Sequence, residues 1–422
     1  MIQHPRASSQ ITQHQDRCAI GVLLSHDGES IMIAGVNVLD KQPQRSTIPE
    51  PSGRRRVAVT GGGTAGHVTS ALAIMAAYQA GFEAEVYFIG CQGGFETQLI
   101  PAGGFELHII PGAPYARQNV LGKVHSLEAL IRGTLAARRL LKARRTDLVI
   151  GLGGYASLGA VLGAKTLGIP LVIHEANVFP GLANRMIGSL TDCVFLGWEQ
   201  AGAAFRSSKT VVTGNPIRPA MAALANQPRE KGERAALRRI LVTGGSAGSP
   251  FLNNNVPILL ARVRDLGVPI TVRHQTGEGE TVRVSREYQR LEVDARIDAF
   301  IVDMAEAYLE ADFVITAAGA LTLAELAMFG LPALLVPLAA AAMGHQVANA
   351  KVYAEQAGGA WVAEHDWDTE PLARRVAKTL GDFDVLNTQA QRLREMATPN
   401  AARILVEECE ALLAGAHRIG SK

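Results

Sequence analysis

The sequence predicts an α/β protein made of two Rossmann-like halves, each a parallel sheet covered by helices, facing one another across a cleft. Three observations carry this expectation. From Arg56 onward, short β-branched runs alternate with amphipathic stretches, the rhythm of βαβ units. The plan of residues 56–80, a strand then a glycine-rich turn then a helix, starts again at "RRILVTGGSAGSPFLNNNVPILLARV", so the second half repeats the first. A chain of 422 residues is long for one domain and comfortable for two, each burying its own core.

Taken in order, residues 1–53 are an N-terminal extension and linker. Asp27-Gly28 between apolar runs in "GVLLSHDGESIMIAGV" predicts a hairpin there, and "DKQPQRSTIPEPSGRRR" reads as linker. The first half spans 54–220, with strands at VAVT, AEVYFIG, DLVIGLGG, PLVIH, CVFLG and TVVTG and a first helix from about Val68 to Ala80. Charge and low β propensity in "PAMAALANQPREKGERAALRR" break the rhythm and place an interdomain linker at 221–238. The second half spans 239–399, and its opening strand is followed by PITVRHQ, ARIDAFI, DFVITAAG and PALLVPL. The C-terminal segment 400–422 carries an amphipathic helix, Asn400 to Ala416, able to pack on either half.

Composition excludes several classes. Hydrophobic residues make up 48% and charged residues 19%, an ordinary globular balance. A net charge of +2 and 5% aromatics give neither a basic footprint nor stacking platforms, so no nucleic-acid partner is expected. Cys18, Cys91, Cys193 and Cys409 form no C-x-x-C pair, which argues against zinc and disulfide frameworks. The apolar stretch Gly319 to Met343 holds Glu325, Pro332 and Pro337 and divides into a helix-like and a strand-like part, so no membrane span is expected. The N-terminus lacks a cation-led apolar core of signal-peptide length, which favours the cytoplasm.

The chemistry concentrates in glycine turns. In "VAVTGGGTAGHVT", Gly61, Gly63 and Gly66 match G-x-G-x-x-G, the dinucleotide fingerprint. A nicotinamide enzyme also needs an acidic residue capping the second strand, and AEVYFIG ends at Gly90-Cys91-Gln92 instead. What remains is an anion cradle at Thr64 to Gly66, with amides and a helix N-terminus directed at a diphosphate. His67 in the first helical turn is either a proton acceptor for the cleft or a helix-start histidine bonded to a neighbouring carbonyl. Gly151-Leu152-Gly153-Gly154-Tyr155 forms another such turn after DLVI.

In the second half, Gly244-Gly245-Ser246-Ala247-Gly248 matches G-x-S-x-G, so a serine hydrolase with Asp303 or Asp312 and His345 is a rival reading. That reading lacks an HGGG-type oxyanion segment; the alternative has Ser246 and adjoining amides bind phosphate. "DFVITAAGALTLAELAMFGLPALLVP" ends a strand at Thr316 and starts a helix near Leu321, offering dipole to phosphates and Glu325 to ribose hydroxyls, unless Glu325 is simply solvated. His174-Glu175-Ala176-Asn177 ends PLVIH, and Arg218 in Gly214-Asn215-Pro216-Ile217-Arg218 stands at the hinge, where it can reach a phosphate or make an ion pair. Asp366-Trp367-Asp368 reads as a helix cap rather than a metal site.

GGGTAGH, GLGGYAS, HEAN, GNPIR, GGSAG, AAGALTLAE and HQVANA occur in the order and spacing of GT-B fold glycosyltransferases, and the chain resembles the bacterial MurG family from roughly Arg56 onward. The resemblance implies transfer of N-acetylglucosamine from UDP-N-acetylglucosamine to lipid I, the undecaprenyl-diphosphate-linked muramoyl-pentapeptide, giving lipid II. It implies that Ile301 meets uracil through its backbone, Ser246 the diphosphate, Ala320, Leu321, Thr322, Leu323, Ala324 and Glu325 the phosphates and ribose, and Gln346 the sugar. Thr64, Ala65, Gly66 and Asn177 would complete the sugar end, Arg218 would lie beside the phosphates, and Gly63, Gly153, Gly154 and Tyr155 would take the acceptor diphosphate. His67 would be the base of an inverting displacement that needs no cofactor and no metal. Departures from the pattern are Ala65 for glycine, Ala176 for the glutamine of HEQN, Ala247 for glutamine, and "PLAAAAMG" before HQ. Alternatives sharing the fold are a MurG-like transferase with another acceptor and a non-hydrolysing UDP-N-acetylglucosamine 2-epimerase. A lipid acceptor implies peripheral attachment to the cytoplasmic face of the inner membrane. "SLEALIRGTLAARRLLKARR" supplies either that face, with Leu127, Leu130, Ile131 and Leu135 among Arg132, Arg138, Arg139, Lys142, Arg144 and Arg145, or an ordinary basic surface helix.

Overall fold

The computed structural model describes residues 22–24, 30–32, 54–112, 120–225, 237–339 and 344–415. Val22–Leu24 (β1) and Ser30–Met32 (β2) pair antiparallel, with Val22 opposite Met32. This is the expected hairpin; its turn, Asp27-Gly28, lies outside the described residues.

The first half runs β3 (Arg55–Thr60), α1 (Ala65–Gly81), β4 (Ala84–Gly90), α2 (Glu96–Ala102), β5 (Glu106–Ile109), α3 (Val120–Ala143), β6 (Leu148–Gly151), α4 (Tyr155–Leu167), β7 (Leu171–Glu175), α5 (Leu182–Ile187), β8 (Cys193–Leu196) and β9 (Thr210–Val212). Helix α6 (Pro219–Ala225) leads to the second half: β10 (Arg238–Thr243), α7 (Pro250–Asp265), β11 (Ile270–Gln275), α8 (Thr281–Arg290), β12 (Ala295–Asp298), α9 (Met304–Glu310), β13 (Phe313–Thr316), α10 (Ala320–Phe329), β14 (Ala333–Leu335), α11 (His345–Ala357), β15 (Ala360–Trp361), α12 (Thr369–Gly381), α13 (Phe383–Met396) and α14 (Ala401–Leu413). Two parallel sheets result, ordered β5-β4-β3-β6-β7-β8-β9 and β12-β11-β10-β13-β14-β15. Inner strands such as β6, β7 and β8 are buried along their whole length, because helices cover both faces of a parallel sheet.

Strand order fixes where ligands go. In the first sheet the direction of winding reverses between β3 and β6, and in the second between β10 and β13. Open parallel sheets bind ligands beyond the carboxyl ends of the strands flanking such a reversal. Four small-residue turns leave those four strands: GGGTAGH after β3, GLGGY after β6, GGSAG after β10 and AAGA after β13.

The two halves exchange segments. In α14, Leu405, Val406 and Cys409 join Val57, Ile74 and Tyr78 in the first half's core, and Arg55 Nε lies 3.4 Å from the buried Glu410 Oε2. Burying side chains such as Leu405 and Val406 contributes about 1.5–3 kcal/mol each. The helix left open between two docking sites therefore belongs to the first half. Conversely Ile217 and Met221 pack in the second half's core with Leu241, Tyr308 and Leu326. The chain crosses outward at Gly214 and returns at Thr398. Gly214 has φ of 78°, and a methyl group on it would stand 2.5 Å from Thr398 Cβ.

Among the described residues no helix is long and apolar enough to cross a membrane. Gly319 to Met343 divides into α10 and β14, and its residues 340–343 lie outside the described set. Cys91, Cys193 and Cys409 are buried free thiols, and Cys18 lies outside the described residues.

Candidate active site

Thr64 caps α1, its hydroxyl accepting from the His67 amide at 3.4 Å. The cap starts the helix three residues earlier than apolar periodicity predicts. It also turns the His67 ring back onto the loop, with Nδ1 3.0 Å from the Gly62 carbonyl and 3.2 Å from Thr64 Oγ1. A carbonyl oxygen only accepts, so Nδ1 carries a proton, and in the neutral ring the lone pair is then on Nε2. The carbonyl bond of the helix-start reading is present, and the tautomer it selects is the one a base would require.

The GLGGY turn packs against this loop. Gly154 has φ of 78°, and a methyl there would lie 3.3 Å from the Gly62 carbonyl carbon and 3.5 Å from His67 Nδ1. Gly153, with φ of 92°, faces the Asn184 carboxamide, 3.3 Å from where its own side chain would begin. Tyr155 opens α4, and its side chain lies outside the described residues.

At the end of β7, the buried Glu175 accepts four hydrogen bonds. Oε1 takes the Asn177 amide (2.9 Å) and Nδ2 (3.1 Å); Oε2 takes the Gly181 amide (3.0 Å) and Asn184 Nδ2 (2.9 Å). Such a carboxylate organises the loop rather than reacting. Burial pushes the neighbouring His174 down to about 4, against the Gly214 hydrogen bond and the Glu175 charge, which pull it up. It is therefore neutral in ordinary buffers, and its Nε2–H donates to the Gly214 carbonyl at 3.1 Å. Asn349 of α11 spans the cleft: its Oδ1 accepts from the Val178 amide at 2.9 Å, and its Nδ2 donates to Asn177 Oδ1 and to the Ala318 carbonyl, both at 3.1 Å.

In the second half, Ser246 stands exposed in the turn between β10 and α7. Gln275 ties that turn to the Ile301 segment, donating to the Gly245 carbonyl (2.7 Å) and accepting the Ile301 amide (2.9 Å). The Ile301 amide is thus engaged, and its carbonyl is the group left to meet a base. Helix α10 begins at Ala320 without a side-chain cap, so the amides of Ala320, Leu321 and Thr322 have no intrahelical acceptor. Leu323 is different: its amide bonds the Gly319 carbonyl at 3.0 Å and its side chain is fully buried in the core, against which Ala324 also packs. Glu325 Oε2 accepts from the Tyr308 hydroxyl at 3.0 Å. Burial pushes this carboxyl up, while the Tyr308 bond and the exposed Arg218 guanidinium pull it down. Gln346 Oε1 accepts two backbone amides, Ala318 (3.2 Å) and Leu338 (2.9 Å), which leaves its amide group as the donor for a ligand.

The hydrolase rival loses its triad. Asp303 caps α9 through the Glu306 amide (2.9 Å), Asp312 pairs with Arg239 (3.2 Å), and His345 Nδ1 lies 2.7 Å from the Phe179 carbonyl. Asp368 accepts from the Glu370 amide, the cap read for it. Among the described residues no three His, Cys, Asp or Glu side chains converge as a metal set. Sequence reasoning missed Gln275, Asn349 and Tyr308. The only signals were a polar residue closing the strand PITVRHQ and an asparagine one helical turn beyond Gln346.

Matches to known proteins agree with this geometry. The glycosyltransferase family 28 N-terminal domain matches residues 57–196 and the corresponding C-terminal domain residues 239–404. With the paired sheets and their glycine-rich turns at the two winding reversals, this defines a glycosyltransferase. The UDP-N-acetylglucosamine–N-acetylmuramyl-(pentapeptide) pyrophosphoryl-undecaprenol N-acetylglucosamine transferase of Methylococcus capsulatus is 36% identical over 84% of this chain and 98% of its own length. The protein of that name from Geotalea daltonii is 34% identical over 84% and 96%. The crystal structure of Acinetobacter baumannii MurG superposes with a TM-score of 0.69 at 30% identity, over 84% of this chain and 98% of that one. The chain belongs to the MurG family of glycosyltransferases. A Neisseria meningitidis UDP-GlcNAc 2-epimerase, at 14% identity and a TM-score of 0.62, shares the fold alone.

Proposed function

We propose that this chain is an inverting transferase that moves N-acetylglucosamine from UDP-N-acetylglucosamine to lipid I, making lipid II for peptidoglycan. The observation that carries the reading is the approach of two turns across the cleft. A methyl group on Gly66, in the loop bearing His67, would lie 3.5 Å from Leu321 Cδ1, in the first turn of α10. A base and a diphosphate-binding helix end at that range suit transfer between a nucleotide sugar and a second anionic substrate.

The first half, 54–220, takes the acceptor, and the second, 239–399, takes the nucleotide. Uracil meets the Ile301 carbonyl, the diphosphate meets the turn at Ser246 and the amides of Ala320 to Thr322, and the ribose meets Glu325. Thr64, Ala65, Gly66, Asn177 and the Gln346 amide group surround the sugar. Gly63, Gly153, Gly154 and Tyr155 receive the acceptor diphosphate. His67 Nε2 removes the proton from the muramoyl 4-hydroxyl, whose oxygen attacks the anomeric carbon. The bond from that carbon to the phosphate oxygen breaks, and UDP departs with its charge stabilised by helix N-termini and Arg218.

The deciding experiment is UDP release from UDP-N-acetylglucosamine with and without a lipid I analogue. Release that depends on the acceptor is expected; conversion of the nucleotide sugar without any acceptor would make the chain an epimerase. Turnover is expected to persist in chelator, since helix dipoles and a guanidinium serve the leaving group, and complete loss restored by metal would refute this.

Peripheral attachment to the cytoplasmic face of the inner membrane rests on α3. Leu127, Ile131 and Leu135 recur at helical spacing and are 55%, 55% and 49% exposed. Of the six cations, Arg132 pairs with Glu128, Arg138 donates to Thr166, and Arg144 is held by Glu85 and Glu106. Arg139, Lys142 and Arg145 remain exposed beside the apolar row. Changing these three to glutamate should abolish flotation with anionic liposomes; unchanged flotation would place the membrane contact elsewhere.

A further inference from the structure

Beneath the first glycine loop lies a carboxyl group that the reaction as described does not use. Glu96, the first residue of α2, is 0% exposed. Its Oε1 accepts the Cys91 amide at 3.3 Å, while Oε2 is buried with no hydrogen-bond partner. Three glycines make room for it. A methyl on Gly62 would lie 2.9 Å from Glu96 Cδ, one on Gly90 2.8 Å from Cγ, and one on Gly94 2.5 Å from Cδ. A buried polar atom without a partner costs stability and calls for a reason, and three side chains omitted around one carboxyl mark a position that the loop is built upon.

The reason lies one peptide away. The residue against which the carboxyl is wedged is Gly62, whose carbonyl receives His67 Nδ1 at 3.0 Å. On the other side the same peptide meets Gly154, where a methyl would lie 3.3 Å from the Gly62 carbonyl carbon. The Gly62 peptide is thus clamped between Glu96 and the GLGGY turn, and its carbonyl has one direction in which to point.

We propose that Glu96 is a positioning residue for the transfer reaction: from behind, it holds the Gly62 peptide in the orientation that fixes His67 as the Nδ1–H tautomer with Nε2 bare toward the cleft. The proposal rests on His67 being the base. Glu96 touches no substrate, and its effect falls on the chemical step rather than on binding of the nucleotide, whose contacts apart from Arg218 lie in the other half. Misplacement by about 1 Å of a reacting group costs on the order of 10²-fold.

The test compares Glu96→Ala, Glu96→Asp and Glu96→Gln with wild type and His67→Ala. It reads kcat and KM for UDP-N-acetylglucosamine, the unfolding midpoint, and the ¹⁵N chemical shifts of selectively labelled histidine, with His67 assigned by its own substitution. Glu96→Ala, which empties the wedge, and Glu96→Asp, which withdraws it by one methylene, are expected to lower kcat about tenfold or more at unchanged donor KM and to replace the single His67 tautomer by a mixture. Glu96→Gln, of the same shape, is expected to restore most of kcat and the single tautomer. Should Glu96→Ala fail to fold, Glu96→Asp is read alone by the same criteria. A folded Ala or Asp variant with wild-type kcat and an unchanged His67 tautomer overturns the proposal, as does a loss confined to donor KM. If His67→Ala itself retains kcat, it is the assignment of the base that fails, and the tautomer signature still decides whether Glu96 orients that ring.

Discussion

Replacing His67 by alanine lowers kcat by about 10² or more and leaves the KM for UDP-N-acetylglucosamine nearly unchanged. A positioned general base contributes roughly 10²–10⁴-fold, and the ring has the arrangement such a base needs. Nδ1 is committed to the Gly62 carbonyl at 3.0 Å, so Nε2 alone can accept a proton. The groups assigned to the nucleotide belong to the segments after β10 and β12, to the start of α10 and to Arg218, so ground-state affinity for the nucleotide survives the substitution. His67→Asn, which can still donate to a carbonyl but offers no basic nitrogen, should fail as badly as alanine. Steady-state kinetics with a soluble lipid I analogue measure this, and kcat within about threefold of wild type would transfer the role to another group.

Gly214→Ala destabilises the protein by about 2–4 kcal/mol, the sum of left-handed backbone strain and overlap at a packed site. Gly214 has φ of 78°, and its missing side chain would point into Thr398, 2.5 Å from Cβ and 2.9 Å from Cγ2. These residues are the two places where the chain passes between the halves. The Gly214 carbonyl also accepts from His174, so a shift here unseats the base of the HEAN loop. Adding Thr398→Gly should remove the overlap while keeping the strain, so the double variant recovers at least about 1 kcal/mol relative to additivity. Urea unfolding of the four proteins checks this, and an unperturbed Gly214→Ala midpoint would mean that the crossing yields freely.

Much of the fold was legible because strand, glycine turn and helix leave a local signature. The turns after β3, β6, β10 and β13 could be read directly from their small residues beside β-branched runs, and the structure groups them at two points of winding reversal. Helix α1 begins at Ala65 rather than near Val68 because a capping threonine, not apolar periodicity, decides its start. Strands β5 and β15 escaped notice because they are short edge strands: Glu106–Ile109 is partly exposed throughout and Ala360–Trp361 is two residues long. Of the candidate site, the sequence displays the glycine turns and the histidine but not the groups that orient them. Glu96, Gln275 and Asn349 act on loops remote in sequence, and nothing in a linear pattern records which turn a buried carboxyl or carboxamide will meet. Ile301 and Gln346 entered the candidate site by resemblance alone. Which of their atoms are already engaged became visible only from Gln275, Ala318 and Leu338.

The return of α14 to the opposite half has a consequence for how the molecule is made. On the ribosome, the first half emerges before the second, yet Leu405, Val406 and Cys409, which seal it beside Ile74 and Tyr78, are translated after the second. That half waits with an open seam until the other has been synthesised, and α14 closes the seam like a strap drawn back across a finished parcel. Maturation of the early half is thereby timed by synthesis of the late one, so a chain interrupted before residue 401 leaves the early half's core unsealed.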